Sequence, residues 1–300
     1  MKTLGRSLIL AGTLLGAPIA ANAQAVGADV GKNLEYQQTG PTTVIPYNGG
    51  TNAFIFARSF FANPGDFDGG SMSFPGPASP QAYNGSESGG GFNDVGYFSP
   101  YMTQAALDTA FPTGITYALT ATNSVSHASQ TINVPYLADY YTADIPALTA
   151  ASFTALQGAN PNAGLTLSFN SFTPAANAGF GQGFFSIYDY TTGMGVFAAS
   201  GFSPSTTSVS FGPHTLTAGD SYTYELIFDD GVTGIDPASG LAYTARSDQR
   251  TFGLFSAGPA GVPEPAAWAL MLAGFGLAGA GLRRSRRPRD PAVAPVSPLV

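Results

Sequence analysis

The sequence predicts a mainly β protein, an antiparallel β-sandwich with a loop-rich N-terminal region. Three observations support this fold class. Apolar and polar residues alternate with a period of two over short segments, and no window sustains a 3.6-residue period. The 38 Gly and 23 Pro residues divide these segments into lengths typical of strands. The 22 Phe and 14 Tyr residues are too many for a disordered chain.

The region 24–145 is rich in Gly, Pro and Asn, and we expect it to combine short strands with loops. The best predicted strands are 53–61 and 115–123. The stretch 63–100 has clusters of Gly and Pro with almost no aliphatic residue, so it is predicted to be a long loop. One or two helical turns are expected at 105–111.

The region 146–257 is more regular and is predicted to form the β-sandwich itself. Residues 147–157 fit either a short helix or a first strand. Alternating apolar and polar residues then predict strands, separated by Gly, Pro and Asp turns, over 165–170, 185–187, 195–200, 208–211, 222–228 and 250–255. The segment 229–240 is expected to be the hairpin loop before the last strand.

One turn in this region has a recognisable pattern. Leu216, Gly219 and Tyr222 lie in the segment LTAGDSY, which is similar to the tyrosine corner of fibronectin type III domains. That resemblance implies a Greek-key, fibronectin-like sandwich. It also implies a structural role for Tyr222, whose hydroxyl group would bond to the connecting backbone.

The first 23 residues read as a secretory signal peptide. Lys2 and Arg6 precede the apolar segment 8–17, which is too short to span a bilayer. Ala21 and Ala23 form a small-x-small cleavage site. The mature chain is therefore expected to begin at Gln24.

The other end of the chain is predicted to hold a single transmembrane helix. After a linker at 258–265, residues 266–282 contain no charge and would cover about 25 Å as a helix. Trp268 lies near the outer end of this segment, where interfacial aromatic residues are enriched. The basic segment 283–300 follows, and its arginines are expected to stay in the cytoplasm.

The same tail resembles the PEP-CTERM sorting signal. The resemblance rests on Val262, Pro263, Glu264 and Pro265, on Trp268 in the apolar helix, and on the pair Arg283 and Arg284. It implies processing by an exosortase and a link to exopolysaccharide at the cell surface. Such tails also carry the label of an ice-binding protein C-terminal domain. A plain membrane anchor is the alternative interpretation.

Charge and composition exclude several functions. Between residues 24 and 262 there are 4 basic and 16 acidic residues, a formal charge of −12 (4 − 16). Such a body would repel nucleic acid and anionic lipid. The chain contains no Cys and only two His, which excludes disulfides and thiolate chemistry and argues against a multi-His metal centre.

Two acidic segments are candidate calcium sites. Asp66 and Asp68 lie at i and i+2 beside glycines, and Asp229, Asp230 and Asp236 lie in the expected hairpin loop. Neither segment completes a known calcium pattern, so solvated turns are the favoured interpretation and no cofactor is expected.

No catalytic motif is present in the sequence. We therefore expect a non-enzymatic, exported protein of the cell surface or extracellular matrix. Its expected partners are an exosortase, the membrane before processing, and extracellular polysaccharide. The alternatives are a glycan-binding or carbohydrate-active module and an ice-binding or adhesive surface protein.

Overall fold

The computed structural model of the chain describes residues 24–47, 52–85, 88–89, 92–101 and 103–258. The predicted signal peptide, sorting motif and transmembrane helix lie outside these residues. The described part is mainly β, as predicted. Its strands are β1 Ala25–Gly40, β2 Thr43–Pro46, β3 Ala53–Phe61, β4 Gly69–Ser73, β5 Gln81–Ala82, β6 Ser88–Gly89, β7 Phe92–Tyr101, β8 Ile115–Thr122, β9 Ser129–Tyr136, β10 Leu165–Ser168, β11 Phe180–Asp189, β12 Gly195–Phe202, β13 Ser208–Phe211, β14 Ser221–Ile235 and β15 Ala242–Ser256.

The described residues contain two short helices, one at the helical turns expected for 105–111 and one within 147–157, where a helix and a strand were both left open. Helix α1 spans Gln104–Ala110 and helix α2 spans Ala150–Leu156. Thr103 and Thr149 cap their N-termini, because each side chain accepts a bond from a backbone N–H group of the first turn. No helix among the described residues is long and apolar enough to cross a membrane.

A large sheet runs through both halves of the described chain. Its strand order is β12-β11-β14-β15-β1-β3-β7-β6, and β2 pairs with β1 beside this path. The N-terminal strand β1 lies parallel to the C-terminal strand β15, from the Gly27–Ala242 pair to the Gln37–Phe252 pair. This pair departs from the antiparallel arrangement predicted for the sandwich, and it joins strands from the two predicted regions.

Two smaller sheets cover one face of the large sheet. The sheet β5-β4-β8-β9 encloses a first core, and the pair β10-β13 with helix α2 encloses a second. Ala245 belongs to the first core and Phe255 to the second. Because these residues share one face of β15, both cores lie on the same side of the large sheet. The first core is formed by residues between 25 and 140 together with Ala245, and the second core by residues between 148 and 257. The domain boundary at 145/146 remains a prediction.

The junction between the two cores contains a buried amide. The side chain of Gln38 donates to the carbonyl of Leu148 and accepts from its N–H group, both at 3.0 Å. The hydroxyl group of Tyr224 also donates to Gln38 at 2.7 Å. A single side chain of β1 therefore satisfies polar groups from the second half of the chain.

The long loop predicted at 63–100 was wrong, because this stretch contains β4, β5, β6 and most of β7. The prediction failed because some glycines of this stretch have a packing role, with aromatic rings lying over them. A Cβ atom at Gly70 would fall 2.7 Å from the ring of Tyr83, and one at Gly85 would fall 3.3 Å from the ring of Phe98. Glycine here provides space for a ring.

The predicted strands of the second region are present, but the last two are longer than expected. Strand β14 continues to Ile235, so the hairpin loop predicted at 229–240 was wrong for residues 229–235. Pairing with β15 extends along the whole of β14, from Ser221 opposite Ser256 to Ile235 opposite Ala242. The acidic and glycine residues of 229–235 suggested a turn. Their backbone pairing with β15 and the buried partners of their side chains keep them in the strand.

Candidate functional site

The outer face of the large sheet carries an unusual concentration of charge. The described residues contain four cationic side chains, Lys32, Arg58, Arg246 and Arg250, and all lie on β1, β3 or β15. Lys32 points into the first core. The three arginines lie on the opposite face, which the two small sheets leave uncovered. We refer to this second face as the outer face.

Each of these arginines is paired with carboxylates from neighbouring strands. Arg58 forms two hydrogen bonds to Asp29, and Arg246 contacts Asp29 at 3.4 Å and Asp229 at 3.1 Å. Because the two arginines share Asp29, the pairs form a continuous network across β3, β1, β15 and β14. Such a network fixes strand register, although buried ion pairs contribute little net stability.

Arg250 forms a second group of ion pairs on the same face. It contacts Asp248 at 3.0 Å and Glu225 at 3.4 Å. Burial lowers the pKa of the Arg250 guanidinium group, but the carboxylates of Asp248 and Glu225 together raise it more, so that this pKa ends above its usual value. The guanidinium group therefore remains charged although its side chain is only 26% exposed.

Phe56 separates two of the arginines. The guanidinium group of Arg246 lies 4.8 Å from the centre of its ring and that of Arg58 lies 5.1 Å away. The ring occupies the space above Gly31. Both distances are in the range of cation–π contacts.

A cleft of about 230 Å³ opens beside this ring, and we call it the arginine cleft. Several buried polar atoms near it lack a hydrogen-bond partner among the described residues. Its lining includes Asn33, Glu35, Phe56, Arg58, Arg246 and Arg250, and the unpartnered atoms include Asn33 Oδ1, Arg246 Nε and Arg250 Nε. Groups in this state bind water or a polar ligand.

A second cleft of about 330 Å³ adjoins the first, and we call it the aromatic cleft. Tyr47 and Phe252 lie side by side in it with ring centres 5.7 Å apart, and Tyr190 is 66% exposed. Its other lining residues are Glu35, Gln37, Thr223, Gly253 and Leu254. Aromatic faces beside a few hydrogen-bonding groups are the usual composition of a small-ligand site.

Glu35 lines both clefts. Burial raises the pKa of this carboxyl group to about 7; Arg250 opposes the rise, and Glu225 and Asp248 add to it. Near neutral pH the side chain therefore exists in both protonation states. It can donate a hydrogen bond when protonated and accept one when ionised.

The predicted corner residues lie at the crossing between two sheets. Tyr222 is 1% exposed, and its hydroxyl group accepts a bond of 2.7 Å from the backbone N–H of Thr217. Leu216 is buried in the second core, and Gly219 adopts a positive φ of 81° in the turn. The segment between β13 and β14 is thus attached to β14 through Tyr222.

The structure separates the acidic residues considered for calcium. Asp66 accepts bonds from Asn63, whereas Asp68 accepts bonds from Ser124. Within the described residues there is no group of three or more acidic, His or Cys side chains placed to hold a metal ion.

The second acidic segment is also divided. Asp229 pairs with Arg246 on the outer face, while Asp230 accepts from the backbone N–H of Ala175 on the other face. Asp236 lies in the turn after β14 and accepts from the N–H groups of Asn133 and Ala238. These three carboxylates therefore have separate structural partners.

Sequence reasoning did not find the outer face. The alternation of Asp29, Gly31, Asn33 and Glu35 in β1 was a usable signal, because it places polar residues on one face. The alternation was hidden because Lys32 interrupts the apolar residues of the opposite face. Arg58, Arg246 and Arg250 come from distant segments, and only the strand pairing brings them together.

Comparison with known proteins supports the reading of the tail. Residues 261–287 match the family model described as the PEP-CTERM protein-sorting motif, which confirms the resemblance predicted from the sequence. This motif implies an exported surface protein that an exosortase sorts. The matched residues lie outside those that the structure describes. No curated protein matches the chain.

Among solved structures, the chain is similar to the crystal structure of the FN1-FN3 domains of chicken CNTN1. The identity is 9% and the TM-score is 0.22, and the match covers 65% of this chain and 62% of that chain. A TM-score this low supports no conclusion about the fold or the function.

Proposed function

We propose that this protein is a non-enzymatic component of the cell surface or extracellular matrix, released from the membrane by an exosortase. The observation that supports the proposal is the sorting motif at residues 261–287. The predicted signal peptide at 1–23 would deliver the body outward. The arginines after residue 282 would keep the tail in the cytoplasm, so that Pro263, Glu264 and Pro265 lie at the outer boundary of the membrane.

The contacts of the outer face support a non-enzymatic role. Arg58, Arg246 and Arg250 are each engaged by carboxylates from neighbouring strands. Such pairs position strands, whereas general acid–base chemistry needs a group directed toward a substrate.

Cell fractionation of the native host tests the sorting proposal. We expect the protein in the surface or medium fraction of the wild-type host, and in the inner-membrane fraction of a strain without its exosortase. An unchanged distribution in that strain would contradict processing by this enzyme.

The aromatic cleft favours a second candidate function, binding of a neutral polysaccharide. Tyr47, Tyr190 and Phe252 provide ring faces on which a sugar can stack, and Gln37 and Thr223 provide hydrogen-bonding groups. The body carries a formal charge of −12, which disfavours an anionic polymer. The candidate ligand is therefore a neutral glycan.

Retention on immobilised host polysaccharide tests this second function. We expect Tyr190→Ala to weaken retention of the full protein about fivefold, because stacking on one exposed ring contributes roughly 1 kcal/mol. Leu137→Ala is the matched control, since Leu137 is also 66% exposed but lies outside the cleft. Equal retention of the two variants would exclude the aromatic cleft as the binding site.

A further inference from the structure

Lys32 is a fully buried lysine that lies between two carboxyl groups. Its side chain is 1% exposed, and its Nζ atom is 2.7 Å from Asp108 Oδ1 and 2.9 Å from Asp139 Oδ1. The ring of Tyr136 lies 5.5 Å from the same atom. The amine and two carboxyl groups are therefore held at contact distance inside an aromatic core.

The three groups come from different layers of the molecule. Lys32 is on β1 in the large sheet, Asp108 is on helix α1, and Asp139 follows β9 of the stacked sheet. The acidic side chains are unequally exposed, at 35% for Asp108 and 25% for Asp139. Only Lys32 is enclosed completely.

Burial raises the pKa of the Asp139 carboxyl group, which increases the fraction of the neutral acid. Lys32 and the hydrogen bond from Tyr136 oppose the rise, and Asp108 adds to it. The hydroxyl group of Tyr136 also lies 3.4 Å from Asp139 Oδ1, the oxygen that contacts Lys32. A hydrogen-bond donor at this position would stabilise negative charge that develops on that oxygen.

We propose that Lys32 and Asp139 condense to form an intramolecular isopeptide bond, with Asp108 acting as the proton acceptor. The juxtaposition of a buried amine, a half-buried carboxyl group and a second carboxylate, both within 3 Å of the amine, carries this inference. The product is an amide between β1 and the segment after β9.

The reaction balances without an added reagent. Asp108 takes one proton from the Lys32 ammonium group, and the free amine attacks Cγ of the neutral Asp139 carboxyl group. The tetrahedral intermediate passes its second amine proton to the departing hydroxyl group, which leaves as water. An Nζ–Cγ bond forms, a C–O bond breaks, and Asp108 returns its proton to solvent through its exposed side.

Two physical effects favour condensation here over the same reaction in water. The fold holds the reacting groups together, which replaces a bimolecular encounter by an intramolecular step. The product also exchanges a buried charge for a neutral amide, so the desolvation of the ion pair is relieved. The bond would close a loop of 107 residues (139 − 32) in a chain without Cys.

The intact mass of the denatured full protein tests the proposal. We expect a mass lower than that of the processed sequence by one water molecule. A peptide map should contain one branched peptide that joins Lys32 to Asp139. A full mass with separate linear peptides for the two residues would overturn the proposal, and a branch at Asp108 would overturn the assigned roles.

Two variants separate the crosslink from other losses of water. Asp68-Gly69 and Asp230-Gly231 can also lose water by forming succinimides. If the crosslink accounts for the missing water, the measured mass of Lys32→Arg should equal the mass calculated from its sequence. Asp139→Ala should also lack the branched peptide. Asp108→Asn should slow or abolish formation of the bond while both bonded residues remain. A mass deficit that persists in Lys32→Arg would contradict the proposal even if that variant folds poorly.

Discussion

The hydroxyl group of Tyr222 accepts a hydrogen bond of 2.7 Å from the backbone N–H of Thr217. Thr217 belongs to the connection that leaves the β10-β13 pair, and Tyr222 belongs to the large sheet. The Tyr222 ring also stacks on Phe255 with ring centres 5.3 Å apart. One side chain therefore fixes the point at which the chain crosses between layers of the second core.

Removing this hydroxyl group should destabilise the protein. In Tyr222→Phe the N–H group of Thr217 loses its partner while the ring stays in place. We expect the free energy of unfolding to fall by about 1–2 kcal/mol in chemical denaturation. Tyr190→Phe is the control, because the 66% exposed Tyr190 should tolerate the change within about 0.5 kcal/mol. Equal effects of the two substitutions would show that the Tyr222 bond adds no stability.

The space above Gly31 should tolerate no side chain. A methyl group in Gly31→Ala would overlap the ring of Phe56, which Arg58 and Arg246 contact. We expect a loss of about 1–3 kcal/mol, measured by denaturant unfolding, because the overpacked ring must move. At Gly212 no atom lies within 4 Å of an added Cβ, so Gly212→Ala should be nearly neutral. A neutral Gly31→Ala would contradict the close packing of ring and glycine.

Glu35 should make stability depend on pH. Its pKa rises from 4.5 to about 7 on folding, so the folded state binds the proton more tightly than the unfolded chain does. The contribution of protonated Glu35 to the stability of the fold is complete below pH 4.5, and it is lost as the pH rises through about 7. We expect Glu35→Gln to reduce this loss, with a gain on the order of 2 kcal/mol over the wild type at alkaline pH.

Thermal or urea unfolding as a function of pH measures this effect. The difference in stability between wild type and Glu35→Gln should be constant below pH 4.5 and should change in favour of the variant between pH 4.5 and about 7. Parallel stability curves over the whole range would contradict the burial of an ionisable carboxyl group at this position.

The sequence predicted those features that depend on neighbours along the chain. Alternation in 222–228 predicted β14, and the LTAGDSY segment placed Tyr222 at a turn. Both signals are local, because strand periodicity and turn chemistry act over a few residues.

Features that depend on distant segments were missed. The parallel pairing of β1 with β15 joins residues more than 200 positions apart, and no local pattern encodes it. The role of glycine under aromatic rings was missed for the same reason, since Gly31 and Phe56 meet only through strand register. The Gly and Pro clusters of 63–100 were interpreted as a loop because the strands that pair with them, β3 and β8, also lie outside that stretch.

The central claim is that the chain is exported and then processed at its sorting motif. The most direct test is the intact mass of the protein recovered from the surface or medium of its native host. We predict a form that begins at Gln24 and lacks Trp268 to Val300, and an Ala-Ala-Ala replacement of Pro263-Glu264-Pro265 that stays bound to the membrane. A recovered mass that still includes Arg283 and Arg284 would show that the tail is an ordinary anchor and would contradict the claim.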